Sequence, residues 1–79
     1  MIRFVHLKKA CEEIGFELLS QRRFMNVFDN DGNRVMYFFP NDPWDVNFNE
    51  SFNFLSGSEK AMILKGLYRD YEEFMHGDE

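Results

Sequence analysis

The carboxylates and amides of residues 29–33, Asp-Asn-Asp-Gly-Asn, are of the types that bind calcium through oxygen. An EF-hand loop needs its glycine at the sixth position and a glutamate at the twelfth. With Gly32 in sixth place, Val27 would be first and Phe38 twelfth, and neither side chain offers an oxygen. Since Asp, Asn and Gly also tolerate positive φ, we interpret the segment as the turn of a β-hairpin.

The cysteine and histidine content offers little for nucleophilic or metal chemistry. The chain has one cysteine, Cys11, and two histidines, His6 and His76, which do not follow the spacing of a zinc site. Cys11 falls on the apolar face of a predicted helix, where a thiol behaves as a small inert hydrophobe. His6 lies on a different face of that helix. We therefore predict no metal, no cofactor and no catalytic residue, so that the protein is not an enzyme.

Three pairs of carboxylates are close enough in sequence for general acid–base catalysis to be considered. Such catalysis needs a cleft that shifts the pKa of one partner. A chain of 79 residues has little room for a cleft of that kind, so we interpret the pairs as solvated surface groups. They are Glu12 with Glu13, Asp42 with Asp45, and Glu72 with Glu73.

Residues 42–54 place aromatic side chains among acidic and amide side chains. We interpret the phenylalanines of this segment as core residues. Trp44 follows a proline in a predicted turn, and a tryptophan there is commonly half-exposed and over-represented among interface hot spots. We therefore predict a partner-binding site with Trp44 as its anchor and Asp42, Asp45 and Glu50 as charge-pairing groups.

Helices are predicted near both ends of the chain. Apolar residues recur at helical spacing over residues 3–14, and Gly15 follows as a left-handed C-terminal residue. A second helix is predicted over residues 58–75, with either Ser56, in a capping box with Glu59, or Ser58 as its cap. Gly66 lies inside it, which indicates close packing, and we assign that packing to a sheet. The apolar stripe predicted for this helix is Ala61, Leu64, Tyr68, Tyr71 and Met75, widened by Leu67 and Phe74. Residues 76–79 are expected to be a frayed tail.

The middle of the chain predicts strands over residues 16–19, 22–28 and 34–39, with a turn at Ser20-Gln21. Residues 41–45 are interpreted as a turn or a single helical turn with Asp42 as its N-cap. Residues 46–54 alternate between apolar and polar side chains, which fits either one strand or a small hairpin. The predicted fold is a small α+β two-layer sandwich of order α-β-β-β-(β)-α, in which an antiparallel sheet packs against both helices in one domain, residues 1–79.

The composition indicates a folded, cytoplasmic protein. Aromatic residues make up 18% of the chain, which is enough to build a dense core despite its short length. A secreted domain of this size would carry several cysteines, and the first nine residues hold no uninterrupted apolar stretch typical of a signal peptide. No apolar run approaches the roughly 20 residues of a membrane span, so we predict no membrane contact.

The charge is distributed unevenly along the chain. Residues 1–34 hold six basic and five acidic residues, a net charge of +1, whereas residues 35–79 hold three basic and nine acidic residues, a net charge of −6. An acidic surface repels phosphate, so we expect no direct nucleic-acid binding by the bulk of the protein. Its field attracts basic partners instead.

A helix, Gly15-Phe16-Glu17, a strand, Asn30-Asp31-Gly32 and a second strand succeed one another over residues 4–39. This layout resembles that of HicA-type toxins, small mRNA interferases with a double-stranded-RNA-binding-like fold. The family carries a histidine on its second strand shortly after a Gly-Ser pair, and residues 21–26 contain neither. The resemblance implies an RNA-binding domain without the catalytic histidine. The basic residues available for such binding are Lys8, Lys9, Arg22 and Arg23.

The leading hypothesis is a non-enzymatic protein-binding module that engages a larger host protein through a basic, nucleic-acid-binding surface. In size and charge the chain is similar to the inhibitors made by phages and mobile elements, including anti-CRISPR and other anti-defence proteins. The alternative hypothesis is the HicA-like RNA-binding domain. A third is a homodimer or larger homo-oligomer that buries its surplus aromatic residues between subunits.

Overall fold

The chain forms two layers, a four-stranded antiparallel sheet and a pair of helices that cover one face of it. A computed structural model describes residues 3–76. The elements are α1 (Val5–Glu13), β1 (Glu17–Gln21), β2 (Phe24–Phe28), β3 (Arg34–Phe39), β4 (Asp42–Phe48), α2 (Glu50–Asn53) and α3 (Gly57–His76). The strands lie in chain order across the sheet, β1-β2-β3-β4. The predicted α+β fold is confirmed, and the fourth strand is present.

The core lies between the helices and one face of the sheet. On β2 and β3 the inward residues pair across the strands, Val27 opposite Met36 and Met25 opposite Phe38. The helices complete this core with Leu7 and Cys11 from α1 and Ile63 from α3, and the predicted burial of Cys11 is confirmed. The fully buried side chains are Phe38, Leu7, Met36, Ile63, Val27, Val35 and Cys11.

The C-terminus of α1 and the N-terminus of α3 have the caps that the sequence predicts. Gly15 has a φ of +78°, and the N–H of Phe16 reaches back to the carbonyl of Cys11 at 2.7 Å, which closes the last turn of α1. At the start of α3, the N–H of Glu59 donates to Ser56 Oγ at 3.1 Å and the N–H of Ser56 donates to Glu59 Oε1 at 2.9 Å. This reciprocal pair is the predicted capping box. His76, which we predicted to be in a frayed tail, is instead the last residue of α3, and the rest of the predicted tail lies outside the described residues.

Gly66 serves the packing of the two long helices on each other. A Cβ at this position would lie 2.8 Å from the carbonyl oxygen of His6, so only glycine lets α3 approach the backbone of α1 this closely. We predicted a close approach but assigned it to the sheet, which is wrong because the contact is with α1. Spacing along one helix does not indicate which element packs against it.

The stripe predicted as the buried face of α3 is largely exposed. Ala61, Leu64, Tyr68 and Met75 face solvent, and Tyr71 is half-buried at the border. The buried face is instead formed by Ile63, Gly66, Leu67 and Asp70. Helix α3 therefore carries apolar residues outside its buried face, and α1 packs against the side of the helix that carries the small Gly66.

The β1–β2 connection differs from the predicted turn at Ser20-Gln21. Gln21 pairs with Phe24, so Arg22 and Arg23 form a two-residue hairpin turn with φ values of 51° and 71°. Two-residue hairpins of this kind usually carry Asn or Gly, because both central residues adopt positive φ. Because Arg22 and Arg23 stand where Asn or Gly is usual, the sequence does not predict this turn.

The predicted hairpin turn at residues 29–33 is confirmed. The N–H of Asp29 donates to the carbonyl of Asn33 at 2.9 Å, and Gly32 adopts a φ of +84°. Asp29 Oδ1 accepts the N–H groups of Asp31 and Asn33, both at 2.9 Å. This carboxylate therefore stabilises the turn that links β2 to β3.

The predictions for residues 41–54 are wrong in detail. A strand already begins at Asp42, so this residue is not a helix N-cap and Trp44 is not in a turn. β4 is an edge strand, where proline is tolerated because one side of the backbone has no partner strand. After Asn49 the chain turns into α2, where Phe52 contacts Phe48 with ring centroids 4.6 Å apart. The segment is therefore a strand followed by a short helix, neither one long strand nor a hairpin.

Of the phenylalanines in this segment that we interpreted as core residues, only one packs against the core. Phe52 is half-buried and contacts the core cluster. Phe48 is about half exposed, and Phe54 is 80% exposed at the end of α2. The change from strand to helix at Asn49 takes Phe54 out of the alternation that would have pointed it inward.

Candidate functional site

Trp44 lies on β4 and packs against the C-terminal half of α3. Its ring meets Tyr71 edge-on with centroids 4.4 Å apart, and it meets Phe74 with centroids 6.3 Å apart. The tryptophan nevertheless remains 53% exposed. It therefore combines a fixed orientation with an accessible surface, which is the state in which an interface anchor loses little entropy on binding.

Exposed apolar side chains of α3 extend this cluster along the helix. Leu64, Tyr68 and Met75 lie at helical spacing with Tyr71, on one face, and all three are exposed. Together these residues form a continuous apolar surface along the join between helix and edge strand. We name it the α3–β4 patch, and it comprises Trp44, Leu64, Tyr68, Tyr71, Phe74 and Met75.

Carboxylates border the α3–β4 patch on both sides. Asp42 and Asp45 are exposed on the same strand as Trp44, within two residues of it along the chain. Glu72 is exposed on α3 one turn after Tyr68 and was not part of the predicted site. Glu50 is exposed in the first turn of α2, beyond the end of β4, and belongs to a neighbouring surface.

The tyrosine beneath Trp44 stays neutral over the physiological pH range. Burial, together with the adjacent charge of Asp70, raises the pKa of Tyr71 to about 12. The aromatic floor of the α3–β4 patch therefore adds no negative charge of its own. The charge at this surface comes from the carboxylates at its border.

The cysteine is placed in the core and not at any surface. Cys11 is completely buried, and burial raises the pKa of its thiol to about 12, with the charge of Glu12 as a second cause. A protonated thiol that solvent cannot reach is neither a nucleophile nor a ready metal ligand. Within residues 3–76 no three His, Cys, Asp or Glu side chains are grouped so that they could hold a metal ion.

The basic residues are divided between two elements. Lys8 and Lys9 are exposed on α1, whereas Arg22 and Arg23 form the β1–β2 turn. Arg22 lines a shallow groove together with Arg34, and all residues that line this groove come from β1, β2, β3 and their turn. The structure therefore places Arg34 in the same groove as Arg22, a proximity that the sequence did not predict.

Some residues of the α3–β4 patch were not predicted as part of the site, because their apolar spacing was interpreted as the buried stripe of α3. Tyr68, Phe74 and Met75 belong to that stripe, and the structure exposes them. The signal that could have found them is the number of apolar residues on α3, of which only Ile63 and Leu67 are buried besides Gly66.

No helix within residues 3–76 has both the length and the apolar character needed to cross a membrane.

Comparisons with known proteins do not assign the chain to a family. No protein-family model matches the chain, and no curated protein or solved structure is significantly similar to it.

Proposed function

We propose that this protein is a non-enzymatic binding module whose α3–β4 patch docks on a basic surface of a larger protein. The observation that supports this most is the exposure of Trp44, which contacts Tyr71, and of Tyr68 and Met75 on the same face of α3 as Tyr71, each by more than half of its surface. Large exposed apolar patches with a polar border are typical of protein-interaction sites.

The charges around the patch indicate the kind of partner. Asp42, Asp45 and Glu72 border it, and the whole chain has a net charge of −5. A partner that presents lysine or arginine around an apolar pocket would pair with these carboxylates while Trp44 fills the pocket. Surfaces that bind nucleic acids have this basic character. An inhibitor that covers such a surface, as phage-type anti-defence proteins do, is the function that we propose.

The first test is affinity capture from a host-type lysate with the immobilised wild-type chain, Trp44→Ala and Phe54→Ala. Phe54 is the matched control, because it is more exposed than Trp44 and lies outside the α3–β4 patch. A hot-spot anchor contributes about 2 kcal/mol or more, which corresponds to a loss of roughly 30-fold in affinity. We expect a basic protein that binds the wild type and Phe54→Ala and is lost with Trp44→Ala.

A second test separates charge pairing from the anchor. Asp42→Asn with Asp45→Asn removes two carboxylates beside Trp44, and Glu12→Gln with Glu13→Gln removes two exposed carboxylates from α1. We expect the first pair to slow association with the captured protein and the second pair to leave it unchanged. The captured protein should also bind its nucleic acid less well when the chain is added. Equal capture by Trp44→Ala and Phe54→Ala would contradict the proposal.

A further inference from the structure

The sheet face turned away from the helices carries an exposed aromatic cluster. Alternation along the strands places Phe24 and Asn26 opposite to the core residues Met25 and Val27. Asn26 pairs with Tyr37 across the strands, so Tyr37 also lies on this outer face. No described element packs on it, and we name the part around the rings the open sheet face: Leu19, Gln21, Phe24, Asn26, Arg34, Tyr37 and Phe39. Glu17, which pairs with Phe28, lies on the same side of the sheet at the start of β1.

The rings on the open sheet face form one connected surface. Phe24 stacks on Phe39 with centroids 4.4 Å apart and an interplanar angle of 28°. Tyr37 meets Phe24 edge-on at 5.3 Å. Phe39 is 49% exposed, so one side of this stack is open to a further planar group. Aromatic side chains on an uncovered sheet are suited to stack on nucleobases, since every base offers a π face.

An arginine is held in place beside these rings. The Arg34 guanidinium carbon lies 4.1 Å from the centroid of Tyr37, and its Nη1 donates to Asn26 Oδ1 at 3.3 Å. Asn26 is only 3% exposed, and its amide nitrogen donates to the carbonyls of Phe24 at 3.2 Å and Leu19 at 3.4 Å. The buried amide thus orients a guanidinium that keeps further N–H donors for a phosphate.

The β1–β2 turn adds more positive charge next to the same rings. Arg22 and Arg34 line one groove with Gln21, Phe24 and Asn26, and no carboxylate contributes to its lining. Arg22 and Arg23 hold the backbone in the left-handed region, a conformation that favours Asn and Gly at such turns. Of the two turn arginines, Arg22 lines the groove, and a strained backbone that presents a cationic side chain there indicates a functional role.

We propose that the open sheet face binds single-stranded nucleic acid, with a base stacked on Phe39 and backbone phosphates against Arg22 and Arg34. Duplexes do not fit this arrangement, because their bases are stacked inside the helix and cannot reach Phe39. The net acidic charge of the protein does not prevent such binding, because the groove is locally free of carboxylates. Asp42 lies opposite Phe39 in the β3–β4 pairing, so a carboxylate borders the outer end of the aromatic stack. The strand should therefore run from Phe39 across Phe24 toward the β1–β2 turn, away from β4.

This inference does not rest on the protein-binding proposal, because the two surfaces lie on different elements and use different side chains. A protein occupant of the open sheet face is the alternative outcome. The combination of stacked rings and arginines, in an otherwise acidic chain, favours a polyanion with planar groups.

The test is fluorescence anisotropy with a fluorescein-labelled single-stranded RNA of mixed sequence, roughly 10 nucleotides long, at low salt. We expect Phe39→Ala to weaken binding about tenfold or more, because one base loses its stacking partner. Phe54→Ala is the matched control and should bind as the wild type does, because Phe54 is exposed at the end of α2. Trp44→Ala should also leave RNA binding unchanged, which separates this test from the first proposal.

The arginines are tested by their own pair of variants. Arg22→Asn with Arg23→Gly suits the turn better and should keep the fold intact while it weakens RNA binding and lowers its salt dependence. Lys8→Gln with Lys9→Gln removes the same charge from α1 and should have little effect. The proposal is overturned if the wild type fails to bind the RNA at low salt, if Phe39→Ala binds as Phe54→Ala does, or if the corresponding duplex binds equally well.

Discussion

Gly66 and Asp70 lie one helical turn apart on α3, and both contact the first turn of α1. Gly66 admits the carbonyl of His6, and Asp70 accepts the N–H groups of His6 at 2.9 Å and Leu7 at 2.8 Å. The N-cap residue of α1, Phe4, makes no side-chain cap of its own and has a φ of 51°. A carboxylate more than sixty residues away along the chain therefore caps α1.

We expect Asp70→Ala to destabilise the fold by about 1–3 kcal/mol, since it removes the cap and leaves two N–H groups without an acceptor. Asp70→Asn retains one oxygen acceptor and should fall between this variant and the wild type. Glu72→Ala, an exposed carboxylate on the same helix, is the control. Urea unfolding measures the free energies, and equal stability of Asp70→Ala and Glu72→Ala would refute the capping role.

The packing at Gly66 predicts that alanine, which ordinarily stabilises a helix relative to glycine, destabilises the fold at this position. Gly66→Ala gains about 1 kcal/mol of helix propensity but drives a Cβ into the backbone of His6, so we expect a net loss of about 1–3 kcal/mol. Gly57 lies at the start of α3 with no atom near the position of an added Cβ, and Gly57→Ala should be neutral or stabilising. Thermal unfolding of the two variants measures the difference. A stabilised Gly66→Ala would show that the helices can separate without cost.

The conformation of the β1–β2 turn predicts that the double variant used to test RNA binding is more stable than the wild type. Arg22→Asn with Arg23→Gly replaces two residues in the left-handed region by residues that tolerate it, so we expect stabilisation by roughly 1 kcal/mol. Arg22→Lys with Arg23→Lys keeps both the charge and the strain and should match the wild type. Chemical denaturation of all three proteins tests this. A destabilised Asn-Gly variant would mean that the arginine side chains contribute more to folding than the turn conformation costs.

The titration of Cys11 and Tyr71 predicts a loss of stability at high pH. Burial raises the pKa of Cys11 from its ordinary value of 9.0 to about 12, and that of Tyr71 from 10.0 to about 12. The unfolded chain therefore releases these protons at lower pH than the folded chain does. Their contribution to stability is complete below about pH 9 and is lost as the pH rises toward 12.

This pH dependence is measured as the urea midpoint of the wild type, Cys11→Ala and Tyr71→Phe between neutral and strongly alkaline pH. Each variant should lose less stability than the wild type over the alkaline part of the range, because it lacks one of the two titrating groups. An unchanged slope in both variants would show that other groups cause the alkaline transition.

Local chemistry accounts for the parts of the fold that could be predicted. The turn of residues 29–33 is set by Asp29, whose carboxylate bonds to the N–H groups of residues within the same turn. The capping box of Ser56 and Glu59 likewise closes within four residues. Contacts of this range depend little on the rest of the molecule, which is why the sequence indicates them directly.

The candidate site could be predicted only in part. Trp44, Asp42 and Asp45 come together because they are neighbours in sequence, but their element is a strand rather than a turn. That strand depends on pairing with β3, where Asp42 lies opposite Phe39, and such pairing has no local signature. Glu72 enters the border of the site only because α3 lies against β4 through Tyr71 and Trp44.

Local sequence patterns are sufficient to predict helices α1 and α3, the hairpin of β2 and β3, and the acidic character of residues 35–79. The choice of which apolar residues are buried depends on contacts between elements that are distant in sequence. Helix α3 has enough apolar residues for two faces, and the contacts of Gly66 and Asp70 with α1 choose the face that turns inward. Tyr68 and Met75 are left exposed by that choice. The physical reason is that burial is a property of packing partners distant in sequence, which the periodicity of one helix cannot specify.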